Sequence, residues 1–385
     1  MPYTVHVGPC LRVLRTLPDN SVHSIVTDPP YGLGFMGKTW DRLPTVAVFR
    51  ECLRVLRPGG HIAAFGHTRT YHHLATRIER AGFEIRDMIA WTYGQGFPKS
   101  RNQDGAWKGW GTALKPALEP IALARKPLDG TVEANLADHG AGALNIDGCR
   151  VPLDRHVDES QLRTMHRNVR TEADGWGMNK LADEQTPVVN ERGRWPANIV
   201  HDGSPDVLEA FPDAPGQQGD LKAHAEYRQS PNGIFGGMRP AIDHAARNDA
   251  GSAARFFYCA KATRADREEG LAAFEKQPAG IVSNTSGRRI AEREGYTQPV
   301  RANTHPTVKP TALMRWLVKL ITPPGGIVLD PFAGSGSTGK AAVLDGFEAV
   351  LIERDRQWKP VIAARCAWAE ANRPRAQQLA LALET

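Results

Sequence analysis

Apolar positions change period several times along the chain, and the changes mark out elements. Phe49, Cys52, Leu53 and Leu56 recur at i, i+3, i+4 and i+7, predicting a helix that Pro58-Gly59-Gly60 ends; Tyr71, Leu74, Ala75 and Ile78 repeat the spacing before Gly82. Short apolar runs at Ser24 to Thr27, His61 to Phe65 and Ile85 to Thr92 read as strands. Strands alternating with helices predict crossover units on a parallel sheet. The rhythm returns near the end, where Leu313, Trp316, Leu317, Leu320 and Ile321 share one helix face before Pro323-Pro324-Gly325-Gly326. Strands at Ile327 to Leu329 and Ala349 to Ile352 follow, separated by a glycine-rich turn and a helix.

Between residues 127 and 255 the periodicity fades and Gly, Pro, Asn, Asp, Arg and His accumulate, as in DGTVEANLADHGAGALNIDG. Such composition has little apolar surface to offset ordering entropy and predicts an inserted, loop-rich region. The expected layout is one α/β domain in two halves, 1–126 and 256–385, around an insertion at 127–255.

Composition narrows the class. With 41% hydrophobic and 23% charged residues, the 385-residue chain has the make-up of a globular protein, and its net charge of +6 favours phosphate-bearing partners. The five cysteines are far apart with no C-x-x-C pair, so neither a zinc knuckle nor a disulfide framework is expected. The start does not read as a signal peptide. The most apolar helix candidate carries Arg315 and Lys319, so no membrane partner is expected and a cytoplasmic location is.

Three carboxylates each end an apolar strand: Asp28, Asp330 and Glu353. In open parallel sheets ligands bind beyond the carboxyl ends of the strands, so these three would line one crevice if their strands share a sheet. Gly334-Ser335-Gly336-Ser337-Thr338-Gly339 is a G-x-G-x-x-G between a strand and a helix, with Glu353 placed to accept from ribose hydroxyls. A nucleoside cofactor or a bare tight turn would each fit. The segment nearly spells a phosphate loop through Gly339-Lys340, but Ala341 stands where a hydroxyl should hold magnesium, which disfavours an NTPase. Asp28-Pro29-Pro30-Tyr31 sets a carboxylate and carbonyls without N–H competitors beside an aromatic ring. That arrangement suits a flat base carrying an amino group.

These motifs, with His305-Pro306-Thr307-Val308-Lys309-Pro310, resemble the S-adenosylmethionine-dependent DNA amino-methyltransferases of the beta arrangement, in which the catalytic motif precedes the cofactor motif. AWTYGQGFPKSRN and RWPANIVHDG resemble segments of phage and prophage members. The resemblance implies a Rossmann-like α/β methyltransferase sheet with circularly permuted motifs. It makes 1–126 the catalytic half, 127–255 an inserted target-recognition region and 256–385 the cofactor-binding half. It assigns Asp28, Pro29, Pro30 and Tyr31 to the target base. The S-adenosylmethionine residues would be Asp330, Phe332, Gly334, Ser335, Gly336, Ser337, Thr338 and Glu353, with Thr307 and Lys309 on a segment closing over the methionine end. The chain has Gly8-Pro9 where members commonly carry Gly-Asp.

The expected activity is methyl transfer to an exocyclic amino group, adenine N6 ahead of cytosine N4, on a base rotated out of double-stranded DNA. No metal is expected, and a homodimer is allowed for. Basic and aromatic residues that could meet DNA are Lys99, Arg101, Arg163, Arg167 and Arg170, with Trp107, Trp110, Trp176 and Trp195. RNA-base or protein-glutamine methylation is a nearby alternative, though the basic insertion argues for DNA. A nicotinamide-dependent oxidoreductase would use the glycine turn but leave Asp28-Pro29-Pro30-Tyr31 unexplained, and a non-catalytic DNA-binding module would transfer nothing.

Overall fold

The computed structural model describes residues 2–34, 40–94, 96, 100–152, 193–214, 251–278 and 300–373. Its strands are β1 (Tyr3–Val7), β2 (Val22–Thr27), β3 (Leu56–Phe65), β4 (Glu84–Thr92), β5 (Leu118–Arg125), β6 (Ile199–His201), β7 (Tyr258–Cys259), β8 (Gln277–Pro278), β9 (Val300–Arg301), β10 (Ile327–Asp330) and β11 (Glu348–Glu353). Two compact units emerge. The first comprises Met1–Cys149, Ala197–Val207 and Cys259–Thr385; the second comprises Arg150–Pro196 and Leu208–Tyr258.

The first unit is built on a sheet in the order β1-β11-β10-β2-β3-β5-β4-β6, with Cys259 of β7 beyond β6. The run from β1 to β3 is parallel, as the alternation of elements predicts. The all-parallel expectation needs one correction: β5 runs antiparallel to both β3 and β4. The hairpin between β4 and β5 replaces a crossover helix with a direct return, which antiparallel pairing permits.

Helices cover both faces of the sheet. Leu329 and Ile352 join Leu14, Phe49, Cys52, Leu74 and Ile78 in one core, together with Ile25 and Ile62. The neighbouring Leu351 points the other way, against the helix Ser337–Leu344. Burial on both faces explains why these strands are continuously apolar rather than alternating.

The helix Val46–Val55 stops earlier than its sequence pattern implies, and β3 runs through Pro58-Gly59-Gly60 instead of starting after it. Gly59 makes this passage possible. It sits at φ +73°, and a Cβ there would lie 2.4 Å from Asn135 Nδ2. That amide donates to the Pro58 carbonyl (2.9 Å), while Asn135 Oδ1 accepts from Asp129 N (2.8 Å). Buried Asn135, on the helix Val132–His139, thus ties residues beyond 126 to the sheet. The compact unit that holds the sheet runs on to Cys149 and takes in residues 197–207, which carry β6.

The second unit is joined by arginine and aromatic contacts. Arg194 and Arg255 lie over Phe256, at 5.2 and 4.3 Å from the ring centroid, and Arg150 lies 5.4 Å from that of Trp195. Val151 and Arg194 form an antiparallel bridge.

Candidate active site

Asp28, Asp330 and Glu353 lie at the carboxyl ends of β2, β10 and β11, which are neighbours in the sheet order, so the three carboxylates stand along one edge of the sheet, the side on which ligands of open parallel sheets bind. The two distant motifs meet at bond level. Thr27 Oγ1 donates to Asp330 Oδ1 (2.7 Å), and Thr338 Oγ1 reaches Asp330 Oδ2 (2.6 Å) and the Val26 carbonyl (3.3 Å).

The glycine turn is held from behind. Phe332 N donates to Asp330 Oδ1 (3.0 Å), completing the enclosure of that carboxylate. Burial pushes Asp330 up to about 6, against the pull of Thr338, Thr27 and the Phe332 N–H. Arg365, fully buried, donates from Nη1 to Ser335 O (2.6 Å) and Oγ (2.9 Å), and from Nη2 to Asp266 O (2.6 Å). Burial lowers this guanidinium to about 10. Gly334 takes φ +54°, and a side chain there would strike the His305 ring, 2.9 Å from the Cβ position. Gly339 instead brings helix and strand into close contact, since a Cβ on it would lie 2.4 Å from Leu351 Cδ1. Lys340 turns away from the crevice to Glu269 and to Thr311 Oγ1 (3.0 Å), which agrees with the reading that this is no phosphate loop.

Glu353 faces the turn. Its Oε2 accepts from Gly334 N (2.8 Å) and its Oε1 from Asp355 N (2.8 Å); each oxygen keeps acceptor capacity, and the side chain is half-buried. Burial raises its pKa, partly offset by those two N–H groups. Phe332, Gly334 and Ser337 are half-exposed, whereas Asp330, Ser335, Gly336 and Thr338 are buried. The expected donor residues therefore divide between groups that face the crevice and groups that support them. A carboxylate with spare lone pairs, an apolar ring and a side-chain-free turn fit a nucleoside with a ribose diol.

The other end of the crevice is charged. Tyr31 Oη donates to Asp28 Oδ1 (2.7 Å) and lies 3.2 Å from Glu119 Oε2. Lys309 Nζ is 2.9 Å from Asp28 Oδ2, 3.1 Å from Glu119 Oε2 and 3.1 Å from Tyr31 Oη. Burial disfavours the ammonium, yet Asp28 and Glu119 together hold Lys309 above the ordinary lysine range. Burial and the same two carboxylates raise the Tyr31 phenol. Pro29 is buried and Pro30 half-buried.

The structure adds two residues, His305 and Glu119. Lys309, expected on a segment closing over the methionine end, sits in the Asp28 cluster; from the same segment His305 meets Gly334, while Thr307 is exposed. His305 stacks edge-on against Trp358 at 4.8 Å, and burial lowers it to about 4, so it is neutral at pH 7. Glu119 is hidden in the sequence, where an acidic residue at the start of an apolar run looks like a solvated strand end. The one local signal is that Pro120 follows it, leaving that position without an N–H. Pro9 precedes the helix Cys10–Leu14, and Gly8 N donates to the Glu353 carbonyl (2.9 Å), so that loop borders Glu353 without contributing an acid.

Of the residues considered for DNA, Lys99, Arg163, Arg167, Arg170 and Trp176 lie outside the described residues. In the first unit Arg101, Trp107 and Trp110 are exposed, the two rings edge to face at 5.2 Å. Trp195, in the second unit, is 64% exposed. Among the described residues no cluster suited to a metal occurs, and no helix is long and apolar enough to cross a membrane.

Comparison with known proteins decides the family. A family model described as DNA methylase matches residues 22–364. The chain belongs to the DNA methylase family. S-adenosylmethionine is the methyl donor of this family of amino-methylating enzymes. Among curated relatives, the methylase is 23% identical over 189 residues to the type II methyltransferase M.HindIII of Haemophilus influenzae, covering 34% of this chain and 61% of that one. It is 34% identical over 100 residues to M.HpaI of Haemophilus parainfluenzae, covering 24% of this chain and 32% of that one. The matches thus span less than two thirds of either relative. A solved structure, the cytosine-N4-specific PvuII DNA methyltransferase, is 12% identical with a TM-score of 0.42, covering 94% of this chain and 86% of that one.

Proposed function

We propose that this methylase moves a methyl group from S-adenosylmethionine to the exocyclic amino group of a base extruded from double-stranded DNA, adenine N6 in preference to cytosine N4. The observation that carries the reading is the meeting of two distant motifs at one sheet edge, where Thr27, next to Asp28, is bonded to Asp330, with Glu353 at the glycine turn to one side and the Asp28 cluster to the other. The type II methyltransferase relatives agree with a site-specific DNA substrate. The adenine preference rests on Asp28, the residue that adenine enzymes of the resembled group tend to carry before Pro-Pro-Tyr.

When bound, the donor supplies a methyl group on a sulfonium sulfur: the S–C bond breaks with its pair left on sulfur as the nitrogen lone pair forms the N–C bond. This chain's residues prepare the nitrogen. An exocyclic amine shares its lone pair with the ring, and acceptors at Asp28 and the Pro29 carbonyl would draw its hydrogens so that the lone pair faces the methyl. Hydrogen bonds to charged groups contribute about 1.5–3 kcal/mol each, below the roughly 8 kcal/mol a typical enzyme must supply, so alignment must provide much of the remainder. The methylated nitrogen is cationic and sheds its proton to water readily, so no dedicated strong base is needed. At the donor end, Glu353 would take the ribose hydroxyls while Phe332 and Gly334 border the nucleoside.

Extruding a base costs a few kcal/mol. Stacking on Tyr31 and phosphate contacts by exposed residues such as Arg101 would offset it. The test is incubation of the chain with methyl-labelled S-adenosylmethionine and unmethylated duplex DNA, then digestion to nucleosides. Label in N6-methyladenine is expected. Label in N4-methylcytosine would overturn the base assignment, and unlabelled DNA would overturn the activity.

A further inference from the structure

The Asp28 cluster poses an electrostatic problem. Asp28 is needed as an anionic acceptor, yet buried Lys309 lies 2.9 Å from its Oδ2. A carboxylate paired one-to-one with an ammonium presents little net charge to a third group. During transfer positive charge leaves sulfur and arrives on the amino nitrogen, so a site neutralised by its own lysine would not stabilise the product side. Glu119 changes the count. Its Oε2 is 3.1 Å from Lys309 Nζ and 3.2 Å from Tyr31 Oη, so two carboxylates share one ammonium and one phenol.

The fold explains how Glu119 reaches this place. The parallel strands deliver their carboxyl ends to the crevice, and β5, being antiparallel, delivers its amino end there: Phe65, the last residue of β3, lies opposite Ile121. Glu119 is the second residue of β5, and Pro120 after it has no N–H to compete for its oxygens. Phe65 supplies an apolar wall, with Lys309 Nζ 4.9 Å from its ring centroid.

We propose that Glu119 is a positioning residue for methyl transfer: it draws the Lys309 ammonium off Asp28 and keeps the cluster at net negative charge, leaving Asp28 to accept from the target amine. This role rests on the methyl-transfer reading above. It assigns Lys309 to holding Tyr31 and the two carboxylates together rather than to the methyl donor. Glu119 accepts a hydrogen bond from Lys309 and does not itself touch the reacting atoms.

The experiment compares wild type, E119Q, E119D and the double variant E119Q/K309M in single-turnover methyl transfer to duplex DNA, with donor affinity and Tm measured on each. E119Q is expected to transfer at least about 10-fold more slowly, with donor affinity within about 3-fold of wild type, the signature of an effect confined to the reacting state. E119D keeps the charge and is expected to be faster than E119Q. The double variant removes the ammonium that Glu119 restrains and is expected to recover at least about 3-fold of the rate lost in E119Q, a non-additivity that a purely structural glutamate would not show. Wild-type rate in E119Q, a double variant no faster than E119Q, or E119D slower than E119Q would overturn the role of Glu119 while leaving the methyl-transfer reading intact. A wild-type chain that moves no label overturns both.

Discussion

The two ends of the crevice use carboxylates in opposite ways. At the glycine turn, Asp330 is enclosed by two hydroxyls and a backbone N–H, and Glu353 by two backbone N–H groups. These partners are neutral and fixed by the fold, so this end is preformed and carries a shape. At the Asp28 end, the partners are a lysine and a phenol on flexible stems, shared between two acids. They can be redistributed when a base arrives. The contrast suits a site in which one ligand must be held in a constant pose while the other is gripped only after extrusion.

If the ends are separate in this way, they should fail separately. The largest effect is expected at the charged end: Asp28→Asn keeps the shape but removes the anionic acceptor, and should slow methyl transfer by about 10²–10³-fold, as loss of one preorganised electrostatic partner does elsewhere. Single-turnover assays check this. The preformed end should instead show itself in stability. Because burial raises Asp330 to about 6 from the ordinary 3.8, the folded state holds its proton more tightly than the unfolded chain. The stability this contributes is complete below pH 3.8 and lost as pH rises through about 6, a decline of up to about 3 kcal/mol. In urea unfolding at pH 4 and pH 7, the stability of wild type relative to Asp330→Asn should fall by this amount on going from pH 4 to pH 7, the difference cancelling the opposite contribution of buried histidines such as His305. In the variant Thr338 can donate to the Val26 carbonyl instead. The smallest effect is Gly339→Ala: a Cβ 2.4 Å from Leu351 Cδ1 should cost about 1–3 kcal/mol in the same unfolding measurement.

What is legible in the sequence follows the same division. Asp28, Asp330 and Glu353 can be placed because each ends an apolar run, and strand ends in an open parallel sheet define a crevice without further information. Glu119 cannot, because nothing local to Leu118–Arg125 states that this strand runs against its neighbours. The direction comes from the return between β4 and β5, a property of pairing rather than of periodicity. The resemblance places Lys309 on the segment over the methionine end, but nothing in the local pattern states which acids its ammonium meets, while His305 of the same segment meets the turn. Apolar spacing fades after residue 126 and suggests a boundary there, but one buried amide, Asn135, ties the following segment to β3 through the Pro58 carbonyl and holds that segment together through Asp129 and Ala141, bonds that leave no trace in hydropathy.

The separation of the two ends is tested most directly by titrating labelled S-adenosylmethionine into Asp28→Ala and Glu353→Ala in parallel, without DNA. The donor should bind Asp28→Ala within about 3-fold of wild type and Glu353→Ala about 10- to 100-fold more weakly, the range for losing hydrogen bonds to a charged acceptor. Loss of the donor from Asp28→Ala together with wild-type affinity in Glu353→Ala would contradict the division between the donor end and the base end.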